Sequence, residues 1–324
     1  MLLGFAALTA AMLLVTVVVG AWLVTVEPDL GRSGRRHVDR EVDPDVLGRH
    51  IESIVSLGPR DHTNLEGLGR VADYIASQLE QRGGRVERQP YPAGGQTYQN
   101  VVARFGPGAG PRVVVGAHYD TAGPLPGADD NASGVAALIE LATHLGQAPP
   151  SLAVELVAYC LEEPPYFRTP FMGSAVHARS LADKNTEVVA MFSLEMLGYY
   201  DDAPGSQTYP LDLMRVFYPD TANFITVVST YGQGGLGGRI KRAMKAGTSL
   251  DVVSITAPRM LTGVDFSDHA NYWLKGFPAV MITDTSFYRN PHYHTHNDTL
   301  DTLDLARMAR ATEGVLNAVV DLTR

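Results

Sequence analysis

One stretch of the chain, residues 113–133, constrains the fold more than any other. It reads VVVGAHYDTAGPLPGADDNAS. Its β-branched valines predict a buried strand, and the glycines and prolines that follow predict a loop leading into a helix. His118 and Asp120 lie at the carboxyl end of the predicted strand, and Asp129 and Asp130 lie at the end of the loop. Taken alone, an imidazole two residues from a carboxylate is more often a structural histidine than a metal ligand whose second ring N–H the carboxylate accepts.

Apolar strand patterns and amphipathic helix patterns alternate along the rest of the chain. This alternation predicts an α/β fold, a three-layer α/β/α sandwich in which helices cover both faces of a mixed, mostly parallel sheet. Ligands bind such sheets at the carboxyl ends of the strands. Strands are predicted at residues 85–88, 98–105, 113–118, 152–160, 187–194, 223–230, 251–256 and 278–283, and helices after Asp43 and at 64–81, 132–146, 173–182, 236–246, 268–275 and 303–322.

The N-terminal part of the chain is apolar. Residues 2–26 contain no charged side chain, and this length matches the roughly 20 residues that a helix needs to cross a bilayer. We therefore predict a single transmembrane helix at 1–26 as a membrane anchor, a linker at 27–42 and one large domain at 43–324. A cleaved signal peptide is the alternative for the first segment. Four arginines follow the apolar run and none precedes it, which under the positive-inside tendency would place the domain in the cytoplasm.

Charge and cysteine content limit the possible partners. The formal net charge is −9, from 35 acidic and 26 basic residues. No basic patch with interleaved aromatic residues occurs in the sequence, so we expect no nucleic-acid partner. The single cysteine, Cys160, lies in an apolar run, and we expect it to be a core residue.

Three further predicted strand ends carry side chains that can bind a metal ion. Glu162 and Glu163 follow the fourth predicted strand, Glu195 ends the fifth, and His294 follows the last. Imidazole together with carboxylate oxygen suits Zn²⁺, with Mn²⁺ or Co²⁺ as alternatives. Five such ligands exceed the need of one tetrahedral zinc ion, but they suit two ions that share a bridging carboxylate.

These motifs resemble those of the co-catalytic zinc exopeptidases. The matching elements are HYDT at 118–121, GADDNASG at 127–134, the glutamate pair followed by GS at 173–174, and HT at 294–295 followed by DTLD at 298–301. That family includes secreted bacterial leucine aminopeptidases, glutamate carboxypeptidases and, more distantly, glutaminyl cyclases. The resemblance covers about residues 50–320. It implies a phosphorylase/hydrolase-like fold, two zinc ions per chain, a peptide substrate and an extracytoplasmic catalytic domain, the last against the arginine signal.

The resemblance also implies a role for each matching residue. Glu162 would be the general base, and Asp120 would orient His118. Asp129 would be a loop or cap residue, because only one of the two adjacent aspartates needs to reach the metal ions. The metal ligands would be Asp130 as the bridge, His118 and Glu195 on one ion, and Glu163 and His294 on the other.

Three features depart from the family pattern. Glu195 stands where many aminopeptidases of the family have aspartate, although glutamate also occurs there. Residues 164–171 lengthen the segment after the glutamate pair and bring aromatic residues and an arginine near the mouth of the site. Two further histidines, His292 and His296, flank His294.

Together these patterns predict a zinc-dependent aminopeptidase that hydrolyses peptide bonds with a metal-bridged water and Glu162 as base. The alternatives are a glutaminyl-cyclase-like acyltransferase, a carboxypeptidase or aminoacylase, and a non-catalytic membrane receptor on the same fold. The aromatic-rich segment 199–221 predicts a lid, an apolar wall of the S1 pocket, or an ordinary covering loop. The adjacent residues at 267–269, Ser-Asp-His, cannot form a catalytic triad by sequence order alone and are predicted to begin a helix beside the pocket.

Overall fold

The structure is a computed structural model that describes residues 12, 16, 19–20, 22–29, 33–39 and 41–324. Among these residues, no helix combines the length and the apolar character needed to cross a membrane. The predicted transmembrane helix at 1–26 falls largely outside the described residues, so it stays a prediction.

A central sheet of eight strands organises the domain. The strands are β1 Arg85–Ala93, β2 Gln96–Phe105, β3 Arg112–His118, β4 Ala153–Tyr159, β5 Val188–Glu195, β6 Phe224–Ser229, β7 Asp251–Thr256 and β8 Ala279–Thr283. The order across the sheet is β1-β2-β4-β3-β5-β8-β6-β7. Four of the seven strand pairs are parallel, which confirms the predicted mixed, mostly parallel sheet.

Helices cover both faces of this sheet. Side chains alternate along each strand, so that Val113 and Val115 enter one apolar core and Val114 enters a second core on the other face. The helices are α1 Pro44–Ser56, α2 Leu65–Gln81, α3 Gly134–Gln147, α4 Gly173–Asp183, α5 Leu236–Gly247, α6 His269–Trp273 and α7 Leu305–Leu322. Helices α4 and α6 contribute to the second core, and the other helices contribute to the first.

The first strand is longer than the sequence predicts. It continues beyond residue 88 to Ala93, through Pro90 and Pro92. Because β1 is an edge strand that pairs only with β2, prolines that lack an N–H are tolerated there. Gly94 and Gly95 form the two-residue hairpin turn, and both have positive φ, a conformation that glycine adopts without strain.

The segment predicted as a linker, residues 27–42, contacts the domain. Val38 and Val42 are buried in the first core. The side-chain oxygen of Asn317 in α7 accepts a hydrogen bond from the backbone N–H of His37 at 2.6 Å. The described part of this segment is therefore packed against the domain.

At one end of the sheet, loops rather than a helix cover one face. Ile225 and Val227 of β6 point into the first core, on the side where α5 packs against β6 and β7. The alternate residues Phe224, Thr226 and Val228 point to the other side, where they line a cavity.

Candidate metal centre

Four neighbouring parallel strands bring the predicted site residues together. Strands β4, β3, β5 and β8 are adjacent in the sheet and point the same way, so their carboxyl ends meet at one edge. His118 is the last residue of β3, and Glu195 is the last residue of β5. Glu162 and Glu163 follow β4, and His294 lies in the loop after β8.

The predicted metal ligands form two groups that share Asp130. In the first group, Nε2 of His118 lies 3.2 Å from Oδ1 of Asp130 and 3.5 Å from Oε2 of Glu195. In the second, Nε2 of His294 lies 3.1 Å from Oδ2 of Asp130 and 3.2 Å from Oε1 of Glu163. The potential ligand atoms within each group all lie within 4.8 Å of one another. The structure thus brings together all five residues, with the two oxygens of Asp130 facing different groups.

The atoms that face each other in these groups fit a metal ion. Nε2 of His118, Oδ1 of Asp130, Oε1 of Glu163 and Nε2 of His294 are buried, and none has a hydrogen-bond partner within the described part of the chain. Buried polar atoms are nearly always satisfied, so a set of unsatisfied atoms that converge indicates a missing partner. Two imidazoles and three carboxylates form a donor set that suits zinc.

Burial and neighbouring charges shift the pKa values of these carboxyl groups. Burial alone would raise the pKa of Asp130, but the facing imidazoles of His118 and His294 lower it below its ordinary value. Burial, followed by the nearby charge of Asp130, raises the pKa of Glu163 to about 8. Without a cation, the site therefore concentrates like charges at an unfavourable distance.

Glu162 is close to the same groups. It forms a further compact set with His118 and Glu163, and it lines the adjacent cavity. Burial, and then the charges of Glu163 and Glu195, raise the pKa of Glu162 well above its ordinary value, although His118 opposes the shift. A carboxyl group with a raised pKa beside a metal site is suited to proton transfer at neutral pH.

Asp120 contacts more than the histidine that it is predicted to orient. Nδ1 of His118 lies 3.2 Å from the backbone carbonyl oxygen of Asp120 and 3.7 Å from its carboxylate. The carboxylate accepts hydrogen bonds from the backbone N–H groups of Glu162 and Glu163, both at 3.1 Å. The side chain of Asp120 therefore holds the glutamate pair, and its backbone lies nearest to the imidazole.

Asp129 lies outside the two metal-capable groups. It is fully buried, and its two carboxylate oxygens accept hydrogen bonds from the backbone N–H of Gly198 at 2.9 Å and the side-chain amide of Asn290 at 2.8 Å. It thus links the loop after β3 to the segments after β5 and β8, which is more than the loop or cap role predicted for it.

Asp298 is a supporting residue to which the sequence reasoning gave no role. Its carboxylate accepts hydrogen bonds from the backbone N–H groups of Asp129 and Asp130. The sequence signal that could have identified Asp298 was its place in the motif that begins at His294. It fixes the backbone of the loop that carries Asp130.

Arg60 is a second supporting residue that sequence reasoning did not identify. Its guanidinium is fully buried and donates hydrogen bonds to three backbone carbonyl oxygens, those of Tyr119, Pro126 and Gly127. Burial lowers its pKa to about 10 against the opposing effect of four acidic residues, so Arg60 is charged at neutral pH. It joins the two ends of the loop that separates His118 from Asp130.

Ser267 supports Glu195, and the three histidines after β8 differ in position. The hydroxyl of Ser267 donates to Oε2 of Glu195 at 2.6 Å, while His269, two residues further on, faces the carbonyl oxygen of Val264 at 2.8 Å.

Of the three histidines after β8, His294 is the one within the metal-capable groups. The ring of Tyr293 stacks on that of His294, with centroids 3.8 Å apart.

A large apolar cavity of about 290 Å³ adjoins the metal-capable groups. Its floor is the loop-covered face of β6, β7 and β8, and its outer wall includes residues from the segment 207–218. Phe167 lines it, whereas Arg168 pairs with Asp265 and lies over the ring of Phe266. Among the described residues that line the cavity there is no lysine or arginine.

Comparisons with known proteins relate the chain to a peptidase family and to solved structures of similar fold. The profile of peptidase family M28 matches residues 100–319. An uncharacterized protein of Escherichia coli, YfbL, is 45% identical over 286 residues, which are 86% of this chain and 88% of that protein. Leucine aminopeptidase 1 of Ajellomyces dermatitidis is 24% identical over 305 residues, covering 87% of this chain and 72% of its own. The crystal structure of Bacteroides thetaiotaomicron glutaminyl cyclase superposes with a TM-score of 0.67 at 19% identity, covering 87% of this chain and 99% of its own.

Proposed function

This chain belongs to peptidase family M28, as its resemblance to the co-catalytic zinc exopeptidases predicts, and from that premise we propose that it is a di-zinc aminopeptidase. His118, Asp130 and Glu195 would hold one zinc ion, and Asp130, Glu163 and His294 the other. The observation that carries the proposal is the pair of ligand groups that share Asp130, because four of their facing atoms are buried and have no hydrogen-bond partner among the described residues.

In the proposed reaction, the bound zinc, Glu162 and Asp120 have separate roles. Zinc, when bound, polarises a peptide carbonyl and lowers the pKa of a water molecule toward neutrality. Glu162 takes the proton of that water and gives it to the leaving amine, as a general base and then a general acid. Asp120 holds Glu162 and Glu163 through their backbone N–H groups, so the base and a neighbouring ligand keep a fixed spacing.

The charges around the site favour a substrate with a free amino terminus. Four carboxylates, at 130, 162, 163 and 195, line the end of the cavity near the ligands. Three of them would balance the charge of the two zinc ions, and the described residues that line the cavity include no lysine or arginine, the cation that a carboxypeptidase needs for the substrate's α-carboxylate. The apolar cavity would take the side chain of the first residue, which favours leucine and aromatic residues.

A substrate panel tests this proposal. The purified full chain should hydrolyse the p-nitroanilides of leucine and phenylalanine, and N-acetylation of either substrate should abolish turnover. Metal analysis should give close to two zinc ions per chain, and a chelator should remove activity that added Zn²⁺ restores. Cyclisation of glutaminyl peptides with one zinc ion per chain would instead support the cyclase alternative, and hydrolysis of N-blocked substrates would support carboxypeptidase or aminoacylase activity. A chain that binds no metal and shows none of these activities would support the alternative of a non-catalytic receptor.

We also propose that residues 1–26 anchor the chain in a membrane with the peptidase domain on the extracytoplasmic side. The support is the uncharged run at 2–26 and the resemblance to secreted aminopeptidases. Flotation of the full chain with phosphatidylcholine vesicles in a density gradient tests the attachment. A chain that stays at the bottom of the gradient would contradict it.

A further inference from the structure

The outer wall of the apolar cavity has a second, solvent-facing side. A short 3₁₀ helix, Asp212–Val216, lies in this wall. Met214 and Tyr218 point inward and line the cavity. The neighbouring side chains point outward and are exposed: Leu211 to 55%, Leu213 to 69%, Val216 to 71% and Phe217 to 38%.

This exposed group of residues, 211–217, is unusual for a surface in water. Single exposed apolar residues are common, but a run of them on one short turn marks a surface that contacts something apolar. Asp212 and Arg215 are on the same turn and are also exposed. Their charges suit the polar interface of a bilayer better than its hydrocarbon interior.

The apolar N-terminal segment enters the fold beside this turn. The hydroxyl of Tyr218, the residue after Phe217, lies 3.0 Å from the carbonyl oxygen of Ser254 and 3.4 Å from that of Thr25. The carbonyl oxygen of Val26 accepts hydrogen bonds from the hydroxyl of Ser254 at 2.9 Å and from the ammonium group of Lys241 at 3.1 Å. The end of the uncharged run is therefore fixed next to the exposed turn.

We propose that the outer face of residues 211–217 lies in the interfacial layer of a lipid bilayer, next to the point where the N-terminal segment leaves the fold. This inference rests on the membrane attachment proposed above. The attachment brings the turn close to lipid, where burial of its aliphatic side chains is favourable. The same turn walls the substrate cavity with Met214 and Tyr218, so the peptidase site would open close to the membrane surface.

Site-directed fluorescence tests the inference on the full chain. The single native cysteine, Cys160, is completely buried, so an introduced cysteine provides an accessible labelling site. Leu213→Cys and Val216→Cys would each carry an environment-sensitive nitrobenzoxadiazole label in phosphatidylcholine nanodiscs. Leu65→Cys is the matched control, because Leu65 is 38% exposed and its helix packs against β1 and β2 at the opposite edge of the sheet.

The expected result is a blue-shifted emission at residues 213 and 216, with most of that emission lost when the lipid carries a nitroxide near its headgroup. The label at residue 65 should show neither change. Unquenched labels at 213 and 216 overturn the inference, and a blue shift without lipid quenching would show that protein covers the turn instead. Flotation distinguishes the two proposals. A chain that floats with vesicles but has unquenched labels would support the membrane attachment and contradict the lipid contact of residues 211–217. The readout does not depend on catalysis, so a failure of the peptidase assignment leaves it interpretable.

Discussion

The backbone N–H of Asp130 donates a hydrogen bond to Oδ2 of Asp298 at 3.0 Å, although the two residues are 168 positions apart. The other oxygen of the same carboxylate accepts the backbone N–H of Asp129 at 2.8 Å. The loop that carries Asp130, the proposed shared ligand, is thus held by a residue from the last motif of the site. The position of Asp130 in the folded domain therefore depends on the C-terminal part of the chain.

Replacement Asp298→Asn should weaken zinc binding. An amide has one acceptor oxygen, so one of the two backbone N–H groups would lose its partner and face an NH₂ group instead. Substitutions of residues that support metal ligands lower metal affinity by about 10–100-fold. Competition with a chromophoric chelator measures the change. Asp301→Asn is the control because that carboxylate is exposed and accepts from Thr299. Equal affinities in the two variants would contradict the role of Asp298.

Replacement Glu162→Gln should leave zinc binding intact and remove nearly all turnover. The amide keeps the shape of the side chain but cannot accept the proton of the attacking water, and general acid–base catalysis contributes about 10²–10⁴-fold. Metal analysis and the turnover of leucine p-nitroanilide together check this prediction. Glu187→Gln, an exposed substitution, is the control. A Glu162→Gln protein with parental turnover would show that another group is the base.

Replacement Arg60→Met should lower both stability and zinc affinity. Two buried carbonyl oxygens and one partly buried one would lose their donors, and each buried acceptor left unsatisfied costs on the order of 1–3 kcal/mol. The loop that they belong to joins His118 to Asp130, so the ligand spacing would also relax. Urea unfolding and chelator competition measure the two effects. Arg49→Met, on the exposed side of α1, should change neither. A stable Arg60→Met protein with unchanged zinc affinity would be inconsistent with this view of the loop.

His50 should make the protein less stable as the pH falls. Burial, followed by the charge of Arg82, lowers its pKa from 6.5 to about 4, and its ring lies 2.6 Å from the hydroxyl of Tyr74 and 3.1 Å from Arg82. At pH values between about 4 and 6.5, His50 therefore binds a proton in the unfolded chain but not in the folded one. The stabilisation from neutral His50 is therefore complete above about pH 6.5 and is lost as the pH falls toward 4.

Thermal unfolding of the parent and of His50→Gln at pH 8 and pH 5 checks this prediction. The substitution removes a group that only the unfolded state protonates at pH 5, so its cost in Tm should be smaller at pH 5 than at pH 8. The comparison between the two proteins cancels the contributions of all other titrating groups. An equal cost at both pH values would mean that His50 does not resist protonation in the folded state.

Much of the fold could be predicted because the local signals agree. Strand β3 is a run of valines bounded by an arginine and a glycine-rich loop, and the structure gives it as Arg112–His118. The closing helix α7, predicted at 303–322, is Leu305–Leu322. Three of the five proposed ligands, His118, Glu163 and Glu195, could be placed at strand ends because each follows or ends an apolar strand pattern. The family motifs identified the other two, the loop residues Asp130 and His294.

The supporting contacts could not be predicted because they depend on the tertiary structure. Arg60 binds backbone carbonyl groups, and a carbonyl group carries no sequence signal. The contact of Asp120 with the glutamate pair requires the ends of β3 and β4 to be neighbours, a pairing that periodicity does not specify. The extension of β1 through two prolines depended on its position at the edge of the sheet.

The loop-covered face of β6, β7 and β8 has a consequence for protein engineering. Of the four strands that present the proposed ligands, β8 belongs to the cavity floor and β5 reaches the cavity with Glu195, whereas the wall at 207–218 supplies none of those ligands. Under the proposed aminopeptidase activity, this wall would contribute to selectivity for the first amino acid of the substrate without contributing to metal binding. Grafting the corresponding segment from a homologue should redirect the enzyme to new peptides while its hydrolytic machinery stays as it is.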